Sequence, residues 1–207
     1  MLIERGLQAF LRRYADGEAA AVAPWLQGRR ILDLGAGEGY VAAVLRRRQH
    51  VWICSVDVGL FRRVDGPYVS YDGRRLPFRD AAFDTTLLLL TLHHCAAPET
   101  VLDEALRVTR QRLIVLESVY RNGWERLWLD LLDGKLNRYR HHGHMPSAVG
   151  FRRPQEWEQC FASRRLKIVE RRWLGSWWER LLHHPVLFVL EKVADMPCGQ
   201  SGLSEGE

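Results

Sequence analysis

The stretch Ile31-Leu32-Asp33-Leu34-Gly35-Ala36-Gly37-Glu38-Gly39-Tyr40 decides the fold, because an apolar strand pattern, Arg30 to Leu34, runs straight into a glycine loop and a helical pattern, Tyr40 to Arg48, starts where the loop ends. Glycine at three alternate positions permits a tight turn and lets a ligand approach the backbone, while the N-terminus of the following helix offers amide donors. The dinucleotide pattern G-x-G-x-x-G would place a glycine at position 40, where Tyr40 stands, so a nicotinamide cofactor is disfavoured. Asp57 ends the next strand pattern, Val51 to Asp57, at about the spacing from which a carboxylate reads ribose hydroxyls. The two features together imply a nucleoside ligand that needs no phosphate group.

Working outward, apolar runs alternate with helical patterns in βαβ order, which predicts an α/β fold. Further strands are predicted at Tyr68 to Tyr71, Thr85 to Leu92, Arg112 to Glu117, Leu166 to Trp173 and Pro185 to Lys192. Most are near-continuous Val, Ile and Leu runs, which suit a parallel sheet covered on both faces. Pro98 opens a helix that carries Val101, Leu102, Ala105 and Val108 on one face. After the fifth strand, Trp124, Leu127, Trp128, Leu131 and Leu132 recur at helical spacing opposite Glu125, Arg126, Asp130 and Asp133. A loop from Asn137 to Arg153 then leads to a helix opened by Pro154, and Met1 to Tyr14 reads as an amphipathic helix. Only residues 58–67 separate Asp57 from the third strand, and they include Gly59, Asp65, Gly66 and Pro67, so the helix between strands two and three is missing or reduced to a turn.

Composition sets the class. The chain has 207 residues, 47% hydrophobic and 27% charged, which excludes disordered and fibrous proteins and is enough for a sizeable core. No apolar run approaches the roughly 20 residues of a membrane span, and the N-terminus lacks a signal-peptide pattern, so a cytoplasmic location is expected. Cys54, Cys95, Cys160 and Cys198 show neither disulfide-framework nor zinc spacing; reduced thiols and no metal are expected. The net charge is +5, and 27 of the 30 basic residues are arginine. These arginines fall in small groups along the chain rather than in one stripe, which reads as a solvated face and argues against nucleic acid.

The motifs together resemble a class I S-adenosylmethionine-dependent methyltransferase of the small-molecule branch, the methyltransferase type 11-like group. The resemblance rests on Asp33-Leu34-Gly35-Ala36-Gly37-Glu38-Gly39, on Asp57, on Asp72-Gly73, on Leu76-Pro77-Phe78-Arg79-Asp80-Ala81-Ala82-Phe83-Asp84, and on Leu92-His93-His94. It is close over residues 28–120 and holds in outline to Lys192. It implies a Rossmann-like, mostly parallel seven-stranded sheet with helices on both faces. It also implies one domain, 1–195, with an N-terminal helical cap at 1–27, a cofactor-binding core at 28–120 and an acceptor-side region at 121–192; residues 196–207 are expected to be a disordered tail. By the same resemblance Gly35 and Gly37 lie against the methionine part of S-adenosylmethionine, and Asp33 holds its amino group or orders the loop. Asp57 takes the ribose, Asp72 the adenine amino group, and Thr91 with Leu92 edges the active site. Ala36, Gly39, Val58 and Gly73 complete the expected cofactor set, and S-adenosylhomocysteine is the expected product.

Methyl transfer from a sulfonium is a direct displacement, so alignment in a dry site matters most, with a base where the acceptor carries a proton of high pKa. The acceptor is expected beyond the carboxyl ends of strands four and five, near His93, His94, Glu117 and Tyr120. His94, His93, His142 and Tyr120 are the catalytic candidates, His141 and His144 standing beside His142 in the later loop. Three such histidines also resemble a metal cluster, but no acidic or cysteine ligand stands near them. Six of the eight tryptophans follow residue 120. They fit an aromatic acceptor pocket; the plainer expectation for Trp124 and Trp128 is core packing, and Trp177 and Trp178 beside Arg171, Arg172 and Arg180 fit a peripheral membrane contact. The expected function is methyl transfer to a small, hydrophobic or aromatic acceptor. The alternatives are an RNA (tRNA) or protein methyltransferase and a non-catalytic cofactor-binding partner subunit; the acceptor atom and oligomeric state stay open.

Overall fold

Side chains alternate between two faces along each central strand, and burial on both faces makes this sheet a middle layer. In the computed structural model, residues 2–140, 148, 150–175 and 184–193 are described. Among them are strands β1 (Arg30–Leu34), β2 (Trp52–Asp57), β3 (Tyr68–Ser70), β4 (Phe83–Leu89), β5 (Thr109–Val119), β6 (Leu166–Trp173) and β7 (His184–Lys192). The helices are α1 (Leu2–Val22), α2 (Tyr40–Gln49), α3 (Pro98–Val108), α4 (Gly123–Arg140) and α5 (Pro154–Ala162). The strands form one sheet in the order β3-β2-β1-β4-β5-β7-β6. Pairings among β1 to β5 are parallel, whereas β7 runs antiparallel to both β5 and β6. This is the mostly parallel, Rossmann-like architecture that the sequence pattern predicts.

One face buries Leu32, Leu34, Val56, Leu88, Val115 and Phe188 under Val101, Leu102 and Ala105 of α3 and Trp157 and Phe161 of α5. The other buries Ile31, Ile53, Leu87, Ile114 and Val189 under Ala42, Val44 and Leu45 of α2 and Ala19 and Val22 of α1. The i, i+2 alternation within β1 therefore sends Leu32 and Leu34 to one layer and Ile31 to the other.

Several boundaries move. The N-terminal helix extends to Val22, well past Tyr14. The strand expected at Thr85 to Leu92 runs instead from Phe83 to Leu89, and Leu92–His94 form a 3-10 turn. The strand expected at Arg112 to Glu117 spans Thr109–Val119, because α3 passes into it directly and β7 pairs with it as far as Val119. Helix α4 continues to Arg140, so residues 137–140 are helical rather than part of the loop. Residues 58–67 contain no helix, as their glycines and proline predict.

Trp124 and Trp128 correct the core-packing expectation. Trp124 is 82% exposed and Trp128 44%, because α4 meets the body through a different flank, where Leu129 clusters with Tyr120 and Phe151. The expected tail at 196–207 lies outside the described residues, as do His141, His142, His144, Trp177, Trp178, Arg180 and Cys198.

Candidate functional site

Strand order reverses between β1 and β4, and the glycine loop leaves β1 at that point. The amides of Gly35 and Ala36 both donate to the Val56 carbonyl, at 2.8 and 3.1 Å, so the chain folds back over the end of β2. Gly35 has φ +78°, and a Cβ there would lie 2.2 Å from Thr91 Cγ2 and 2.3 Å from Thr91 Oγ1. The space beside Gly35 thus belongs to Thr91, whose hydroxyl donates to the carbonyls of Leu89 (3.0 Å) and Leu34 (3.3 Å). Gly37 differs: its φ is +51°, and nothing lies within 4 Å of a Cβ built there. The loop consequently has one glycine closed by protein and one open.

The carboxylates converge on this loop. Asp57 accepts the Gly37 amide on Oδ2 at 2.8 Å and the Val58 amide on Oδ1 at 2.7 Å. Burial raises its pKa, and these two amides work against that rise. Asp33 lies 3% exposed beneath the loop, and its Oδ2 has no hydrogen-bond partner. Burial first, and the charge of Asp57 second, push its carboxyl up to about 7, with Arg46 opposing. A buried carboxyl whose ionisation is disfavoured by a neighbouring carboxylate asks for a cation, and the pair repels a pyrophosphate. An ammonium or sulfonium beside Asp33 would satisfy Oδ2 and relieve both groups, and the open side of Gly37 leaves backbone for the ligand to approach. These residues therefore fit S-adenosylmethionine.

Asp72 behaves differently. It is exposed and accepts the amides of Arg74 (2.8 Å) and Arg75 (2.9 Å), which lower its pKa; its geometry is that of a local turn ahead of Leu76. Gly73 follows in this turn with φ +76°, and Val58 stands half exposed opposite it. Sequence reasoning missed Tyr68, whose hydroxyl donates to the carbonyls of Gly59 (3.0 Å) and Gly37 (3.2 Å) and so ties the glycine loop to the segment after β2. Nothing in the sequence distinguishes Tyr68 from an ordinary strand residue.

At the carboxyl ends of β4 and β5 the structure brings His93, His94 and Tyr120 together with Glu117. Glu117 is fully buried; its Oε1 accepts the amides of Thr91 (3.0 Å) and Leu92 (2.7 Å), and its Oε2 lies 2.6 Å from His93 Nδ1. The His93 ring stacks on Phe151 at 4.8 Å and tilts against His94 at 4.1 Å. Tyr120 is buried beside Leu129 and Phe151, with the guanidinium carbons of Arg126 and Arg153 5.6 and 5.7 Å from its ring centroid. A carboxylate closing an apolar run, Leu113-Ile114-Val115-Leu116-Glu117, is the signal that would have singled out Glu117 as more than a neighbour of the site. His142 lies outside the described residues.

Residues 32–115 match a family described as a methyltransferase domain. A demethylmenaquinone methyltransferase of Beutenbergia cavernae is 38% identical over 98 residues, 44% of this chain and 41% of that protein. The chain spans about half the length of the curated relatives it matches, or less. Among solved structures, the [4+2]-cyclase SpnF aligns with a TM-score of 0.66 at 16% identity, over 87% of this chain and 81% of that one. The magnesium protoporphyrin IX methyltransferase of Synechocystis PCC 6803, solved with bound S-adenosylhomocysteine, aligns with a TM-score of 0.63 at 12% identity, over 93% and 88%. At that identity both show the fold.

Proposed function

We propose that this chain, whose residues 32–115 match a methyltransferase domain family and whose sheet has the class I fold, transfers a methyl group from S-adenosylmethionine to a small lipophilic or aromatic acceptor that carries an ionisable proton. The observation that carries this reading is the pair Asp33 and Asp57, buried under the open glycine loop with one carboxylate oxygen orphaned. Asp33 would hold the amino group of the cofactor, Asp57 its ribose, and the Gly37 backbone its amino-acid part. The bound cofactor supplies an electrophilic methyl on a sulfonium, transferred by direct displacement.

The remaining work falls to residues beyond β4 and β5. The contact between Glu117 Oε2 and His93 Nδ1 at 2.6 Å fixes the orientation of the imidazole ring. His93 is the base this reading assigns to the acceptor's proton. Phe151, Tyr120 and Leu129 pack as an apolar, aromatic cluster, with Phe151 stacked on His93, and such surroundings suit a ring-bearing acceptor. Demethylmenaquinone, named in the Beutenbergia relative, is the first acceptor of that class to try.

Calorimetric titration with S-adenosylhomocysteine tests the cofactor reading. We expect binding that weakens about tenfold to a hundredfold in Asp57→Ala, the loss of a charge-assisted hydrogen bond. An absence of binding by the native protein, once copurified ligand has been excluded, would overturn it. With a working acceptor, Glu117→Gln should lower kcat by about a hundredfold or more, displace the kcat–pH profile and leave KM for the cofactor near its original value. A purely structural Glu117 would leave the pH profile in place.

A further inference from the structure

Helix α4 carries Trp124, Leu127, Trp128 and Leu131 at i, i+3, i+4 and i+7, and these side chains are 82, 60, 44 and 46% exposed. They form one stripe along two helical turns. The helix is held by other positions: Leu129 packs with Tyr120 and Phe151, and the Glu125 carboxylate lies 3.2 Å from His184 Nε2 and 2.8 Å from the Arg121 guanidinium. Other large exposed apolar residues, such as Phe10, Trp52 and Leu60, stand on separate elements. Exposed singly, such residues are ordinary; two tryptophans and two leucines in one contiguous stripe are not.

We propose that α4 docks the protein on an anionic lipid surface, with Trp124, Leu127, Trp128 and Leu131 at the boundary between headgroups and acyl chains. Charge identifies the occupant. The same stripe continues in sequence to Lys135 and Arg138, and Arg121, Arg126 and Arg153 surround the start of the helix on a chain of net charge +5. The acidic residues of the helix are Glu125, already held by Arg121 and His184, Asp130, exposed at the edge of the stripe, and Asp133, half a helical turn away from the stripe by its spacing in sequence. An apolar, tryptophan-rich turn followed by a basic one matches acyl chains followed by phosphates. A second copy carries the same net charge of +5, which opposes self-association, whereas an anionic surface attracts it. No helix among the described residues is long and apolar enough to cross a membrane, so the contact is peripheral. The docking itself stands on α4 and does not depend on the methyl-transfer reading.

The test is flotation of the full chain with phosphatidylcholine vesicles, with and without phosphatidylglycerol. We expect partition onto the anionic vesicles that weakens with salt. Trp124→Ser/Trp128→Ser should reduce it at least about tenfold, with an unchanged circular dichroism melt, while the double Phe variant retains most of it. A second variant, Lys135→Glu/Arg138→Glu, leaves the apolar stripe intact and should lose the preference for anionic lipid. Failure of the native chain to bind either vesicle, or equal binding by the Ser variant, overturns the proposal. Loss in the Ser variant of a dimer seen by sedimentation velocity, without vesicle binding, would replace the lipid by a second copy.

Discussion

Asp33 is where local chemistry and stability meet. Its carboxyl titrates near 7 in the folded chain, against about 3.9 for an unperturbed aspartate. A raised carboxyl pKa contributes stability that is complete below the unfolded value and is lost as pH rises through the folded one. The ligand-free protein should therefore weaken between about pH 4 and pH 7 through this residue. Asp33→Asn should flatten that dependence and stabilise the free protein at pH 8 by about 1–3 kcal/mol, read from denaturant melts at the two pH values, while weakening S-adenosylhomocysteine binding. A variant that is less stable than the native chain at pH 8 would show that the Asp33 charge is compensated by a group other than a ligand. Asp57 drew attention through its spacing from the glycine loop, and Asp33 and Gly37 through the resemblance of that loop. Glu117 was placed near the acceptor, but its contact with His93, like the tie made by Tyr68, was not legible, because the partners lie 24 and 31 residues away and meet only after the strands align.

At the scale of elements, α4 and α5 show how far periodicity reaches. Both carry aromatic residues at helical spacing, Trp124 and Trp128 on α4 and Trp157 and Phe161 on α5. Trp157 on α5 is 1% exposed, stacked on Phe161 and beneath the Arg152 guanidinium, within the core under the sheet. Trp128 on α4 faces outward. Trp157→Ala should cost about 3–5 kcal/mol in urea unfolding, as for other large core aromatics. Trp128→Ala should cost about 0.5 kcal/mol or less. Comparable losses in the two variants would mean that α4 is covered in solution. A hydrophobic stripe states that a helix has a face to bury, and its position against the sheet decides whether the chain itself buries it.

For the molecule as a whole, the crevice lies where strand order reverses, and the ends of β1, β2 and β4 share it. A ligand held there bridges segments distant in sequence, so it should stabilise the whole fold by mass action. At about 100 times its Kd, S-adenosylhomocysteine should add about 2.7 kcal/mol and raise Tm by roughly 5–10 °C in a thermal shift measurement, with NAD giving no shift. An equal rise with NAD would contradict the electrostatic argument from Asp33 and Asp57. The SpnF cyclase shares this architecture, so the fold alone does not name a reaction. By itself the sequence determined the α/β class, the glycine turn and the missing helix across residues 58–67, because strand runs, glycine spacing and loop length are local constraints on the backbone. Only the tertiary structure decided that Thr91 fills the space beside Gly35, that Glu117 holds His93, and that the aromatic stripe of α4 faces outward. Those outcomes depend on strand register and on the docking of whole elements, which no short stretch of sequence encodes.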